Sequence, residues 1–92
     1  MIIQQVFKYQ LQVISDQRIE MPKDAKVLHV GVQNNVMCLW AMVDGNAPLV
    51  KRHIGIYGTG HYIPVDVEPS HFVGTVMAGM FVWHIFDLGE VA

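Results

Sequence analysis

Along this chain apolar residues alternate with polar ones at a period of two and nowhere hold helical spacing over three turns. Over residues 6–13, Phe7, Tyr9, Leu11 and Val13 fall on one side and Val6, Lys8, Gln10 and Gln12 on the other, as in a strand with one buried face. Ser15, Asp16 and Gln17 break the pattern. Ile19, Glu20 and Met21 make a short extended piece, because Pro22 disfavours helical backbone in the residue before it. Lys23 and Asp24 read as a turn. Residues 26–33 alternate again, with Leu28, Val30 and Val32 on one face and Val27, His29, Gly31 and Gln33 on the other. Asn34-Asn35 suits a two-residue hairpin, since asparagine tolerates positive φ. Residues 36–43 are apolar on both faces, which marks a central, covered strand. Counting outward from the Asn-Asn turn pairs Gln33 with Val36 and sets His29 against Trp40.

Residues 44–48 form a loop, and residues 51–57 a further strand that ends at Gly58-Thr59-Gly60-His61. Residues 64–70, with two prolines and two acids, read as a surface loop holding at most one helical turn. Residues 72–77 and 80–86 form a second hairpin around Ala78-Gly79, which places Val73 opposite His84 and Gly74 beneath Trp83. The expected fold is mainly β: one small antiparallel barrel or sandwich, residues 1–92, of about five to seven strands with at most one short helical turn.

Composition sharpens this picture. Hydrophobic residues make up 52% of only 92 and charged residues 15%, so apolar surface should be left over. A homo-oligomer, most simply a dimer, would cover it. A net charge of -2 gives no basic field for nucleic acid. The lone cysteine, Cys38, excludes an internal disulfide and fits a reducing cytoplasm. Gln4 and Gln5 interrupt the apolar start, no basic region precedes it, and no apolar run reaches the roughly 18 residues that span a bilayer. Neither a signal peptide nor a membrane span is expected.

Five histidines are the first chemical candidates. None has the spacing of a helical zinc site and Cys38 has no CxxC partner, so neither a metal nor a cofactor is expected. His29 and His84, inside apolar strands, read as core or interface residues with a backbone partner. Ser15 and Ser70 lie in no nucleophile elbow, and no catalytic residue is assigned. The distinctive segment is Gly58, Thr59, Gly60 and His61. Its glycines allow successive N–H groups to form an anion nest, with His61 as a further donor. Tyr57 and Tyr62 stand ready to stack a ring, and Lys51 and Arg52 to add charge from the same strand. The alternative is a tight turn that ends a strand.

The series I-x-M-P-x-x-A-K-V-L-H-V from Ile19, C-L-W-A-x-V-D from Cys38, G-T-G-H from Gly58, F-V-G-T from Phe72 and F-V-W-H-I-F from Phe81 covers nearly the whole chain. It resembles a family of small uncharacterised proteins encoded by bacteriophages and prophages. The resemblance implies a setting in the host cytoplasm and a role against host defence, and no catalytic residue. The function expected is an oligomeric sponge that sequesters a nucleotide-type immune signal. The alternative is an inhibitor that binds a host defence protein; a small hydrolase using His61 ranks last.

Overall fold

Strands form where apolar and polar residues alternate or where both faces are apolar, and positive φ marks the turns at Asp24, Asn34-Asn35, Gly60 and Gly79 and one strand position, Gly89. The computed structural model describes residues 2–91. Its strands are β1 (Gln4–Gln10), β2 (Asp16–Pro22), β3 (Lys26–Gln33), β4 (Val36–Asp44), β5 (Leu49–Gly58), β6 (Phe72–Ala78) and β7 (Phe81–Glu90), with one 3₁₀ turn at Pro69–His71. They pair antiparallel into a three-stranded sheet, β1-β4-β3, and a four-stranded sheet, β2-β5-β7-β6. The two sheets pack as a sandwich and do not close into a barrel. Among the described residues no helix is long and apolar enough to cross a membrane.

The core is the layer between the sheets. Met21, Leu39, Ile54, Ile56 and Ile85 are fully buried there, joined by Val30, Ala41, Val43 and Val76. Each large aliphatic side chain so buried contributes about 1.5–3 kcal/mol before ordering costs. β4 is central, as its apolar character implies, and sends Met37, Leu39, Ala41 and Val43 inward. Cys38 is buried on its other side.

The first hairpin has the expected register. Asn34 and Asn35 both take positive φ (53° and 64°), the backbone of a type I′ turn, and Gln33 pairs with Val36 and His29 with Trp40. The His29 and Trp40 ring centroids lie 5.9 Å apart. Further along, a bulge at Leu28 breaks the alternation expected for β3. Val27 and Val30 both face the core while Leu28 is half-exposed, so Leu28 and Val30 do not share a face.

The second hairpin differs from expectation. Gly79, at φ 62°, opens the turn instead of ending it, and Ala78 pairs with Phe81. Val76 therefore stands opposite Trp83 and Thr75 opposite His84, while a bulge at Val73 brings Gly74 opposite Ile85. Gly74 does serve a close approach, but to β3: a Cβ there would sit 3.0 Å from Val30 Cγ2. β2 also begins earlier than expected, because Asp16 and Gln17 pair with Gly55 and Ile54. The one short helical turn allowed by the sequence is the 3₁₀ turn Pro69–His71.

One charge enters the layer. Arg52 is 7% exposed and lies on the same side of β5 as Ile54 and Ile56. Its Nη1 donates to Asp87 Oδ2 at 2.9 Å, Nη2 donates to the Ala25 carbonyl, and Glu90 Oε2 lies 3.7 Å from Nη2. Glu90 also accepts the Asp24 N–H at 2.6 Å. This cluster ties β5 and β7 to the β2–β3 turn. Arg52→Ala should lower the unfolding free energy by about 3 kcal/mol, because it strands a partly buried carboxylate. Arg52→Met keeps the packing of the stem and should lose less. Urea unfolding of both variants checks this, and a change under about 0.5 kcal/mol for Arg52→Ala would show that the pair holds nothing.

Candidate functional site

Antiparallel pairing places Tyr57 of β5 beside His84 of β7, and Gly55 beside Phe86, on the outer face of the four-stranded sheet. Period-two spacing adds His53 to that face. The Tyr57 ring folds back along its own strand: a Cβ on Gly55 would lie 2.9 Å from the Tyr57 ring and 3.0 Å from its hydroxyl. Phe86 supports Tyr57 edge-on at 5.8 Å, and Phe72 meets Phe86 at 5.6 Å. Three strands thus contribute to one aromatic row. Residues 59–71 pass over this face from β5 to β6, and residues 11–15 connect β1 to β2 at its edge.

Between these two connections lies a cleft of about 740 Å³. Tyr57, Tyr62 and Trp83 give it ring surfaces, His53, His61 and His71 its ring nitrogens, and Asp16 and Asp66 its carboxylates. His53 Nε2 contacts Asp16 Oδ1 directly. His71 Nδ1 accepts the Glu68 N–H at 3.0 Å. The His61 ring stands edge-on to Trp83 at 6.2 Å and covers Gly58, where a Cβ would meet it at 2.7 Å. Glycine at both 55 and 58 therefore makes room for the rings of the cleft.

The Gly58-Thr59-Gly60-His61 segment is a reverse turn. The His61 N–H donates to the Gly58 carbonyl at 3.0 Å, and Gly60 takes φ 85°, the type II geometry. The Thr59 N–H donates to the Val82 carbonyl at 3.3 Å. Two N–H groups of the expected nest are thus committed to backbone carbonyls. The Thr59 hydroxyl lies 2.8 Å from His84 Nε2, and the Thr75 hydroxyl 2.9 Å from His84 Nδ1. His84 accordingly has two hydroxyl partners in place of the expected backbone one, and His29 is exposed against Trp40.

Of the eight residues singled out from sequence, Tyr57, His61 and Tyr62 line the cleft, and Gly58, Thr59 and Gly60 form the turn at its rim. Lys51 and Arg52 do not line it. Arg52 points to the opposite face of its sheet, six residues and roughly 20 Å along β5 from Gly58. His53 was legible without being chosen, since it shares the parity of Tyr57. Asp16 and Trp83 reach the cleft through long-range pairing that no local pattern announces. Among the described residues no group of three or more histidine, cysteine or acidic side chains is placed to hold a metal ion.

The chain belongs to the family described as a domain of unknown function (DUF7352), whose model matches residues 2–91. No curated protein and no solved structure matches it.

Burial raises the Tyr57 hydroxyl above its ordinary value of 10.0, with Asp16 and Asp66 adding to the shift, and burial alone raises Tyr9. The fold favours both neutral phenols, so their contribution to stability is full below pH 10 and is lost as pH rises through the folded values. Urea unfolding across that alkaline range should show a steeper loss for the parent than for Tyr57→Phe. Equal slopes would contradict the assignment.

Proposed function

We propose that this family member is a binding protein that holds a small heteroaromatic molecule in the cleft, with the ring laid against Tyr57. The observation that carries the reading is a space of about 740 Å³ that wraps the end of β5, with Tyr57 and His53 reaching it from the outer face and Trp83 and His61 from the core side. That volume lies in the usual range for small-molecule sites. The phage setting implied by the sequence resemblance extends the reading to a sponge that removes a nucleotide-type immune signal, bound through its base.

A hydrolase is less well supported. His53 and Asp16 supply two members of a triad and Ser15 lines the same cleft, yet among the described residues the Ser15 hydroxyl makes no hydrogen bond to His53. Such a bond is the first geometric requirement of an activated serine. The protein-binding alternative draws on a different place. Met77, Met80 and Phe81 are 75%, 93% and 63% exposed at the tip of the β6–β7 hairpin. A partner protein or a second copy would find its apolar contact there.

Trp83 reports on the cleft, and Trp40 lies on the outer face of the other sheet. In a Trp40→Phe background adenosine should quench the remaining indole in a saturable way. Tyr57→Ala should weaken that binding at least about fivefold, the lower end of what base stacking contributes. No quenching, or equal affinity in Tyr57→Ala, would overturn the reading.

A further inference from the structure

We propose that the cleft selects its ligand by charge, taking a cationic or neutral nitrogen heterocycle in preference to an anionic one. The inference rests on the ring-binding reading and concerns the class of molecule that fits it. Asp16 and Asp66 are the acidic side chains along the walls, Asp16 already in contact with His53, and neither lysine nor arginine lines them. Arg18, opposite His53 in the β2–β5 register, lies outside the cleft, as do Lys51 and Arg52, and Arg52 is already paired with Asp87.

Apart from the His61 ring, which can still donate an N–H, the remaining polar groups give an anion little. The backbone N–H groups of Thr59 and His61 are bonded to carbonyls. The His71 Nδ1 is taken up by the Glu68 N–H. His53 is held against Asp16, which offsets any charge it carries. Aromatic faces attract a cation through their quadrupole and repel an anion. Tyr62 is fully exposed beside the cleft and Tyr57 forms part of its wall, so rings and carboxylates act in the same direction. A phosphate group on such a ligand would have to lie outside the cleft.

Three pyridines of one shape separate charge from ring: 1-methylnicotinamide (cation), nicotinamide (neutral) and nicotinate (anion). Each is titrated into the isotope-labelled protein at neutral pH, with the Trp83 indole N–H as the reporter. Affinity should fall in that order by about tenfold from end to end, the scale of one charge-assisted contact at a half-exposed site. Asp66→Asn, in an exposed loop, should at least halve the preference. Equal affinities, nicotinate binding tightest, or an undiminished preference in Asp66→Asn would overturn the charge inference while leaving ring binding intact. If none of the three moves the Trp83 signal, the ring-binding reading falls and the charge inference with it.

Discussion

The guanidinium of Arg52 is the charge around which one end of this sandwich is built. A buried cation demands carboxylates, and simple alternation along β7 would put Asp87 and Glu90 on opposite faces. The register shift between Arg52 and Ile54 removes the conflict: Asp87 stands opposite Ile54 and Glu90 opposite Arg52. Both acids thereby reach the same side, and Glu90 also holds the Asp24 N–H of the β2–β3 turn. With β5 and β7 locked at that end, the aliphatic layer of Met21, Leu39, Ile54 and Ile85 continues toward the other. There Gly58, Trp83 and residues 11–15 leave a cleft.

Each β-bulge in this fold re-aims a side chain that alternation would have misplaced. Leu28 is the extra residue that lets Val27 and Val30 both face the core. Val73 is the extra residue that brings Gly74 against Val30 of β3. The glycines at 55 and 58 work differently, by leaving space for the rings of Tyr57 and His61. The cleft is therefore a consequence of sheet construction: β2 pairs with β5 only as far as Gly55, so the end of β5 presents Tyr57 on the outer face and Ile56 on the core side beside Trp83, partly roofed by residues 59–71.

Much of this was legible in the sequence where a turn fixes the register nearby. Asn34-Asn35 sets His29 opposite Trp40 because only the two central residues need positive φ. The second hairpin departs from the same counting by one residue, because Gly79, with its φ of 62°, is the first central residue of the turn and not the last. Tyr57, His61 and Tyr62 were recognisable as site residues from the glycine turn. Arg52 could have been set apart from Tyr57 by parity alone, since residues five apart on a strand lie on opposite faces. Asp16 and Trp83 could not be found so, because their place depends on how β2, β5 and β7 pair across the chain.

The gap between residues 11–15 and 59–71 is proposed as the place where a ring-bearing ligand binds. Amide hydrogen exchange measured with and without saturating adenosine tests it directly. Exchange should slow only over residues 11–16 and 57–67, with β4 and the β6–β7 tip unchanged. Protection at the β6–β7 tip or on the outer face of the three-stranded sheet, or no protection at all, would contradict it.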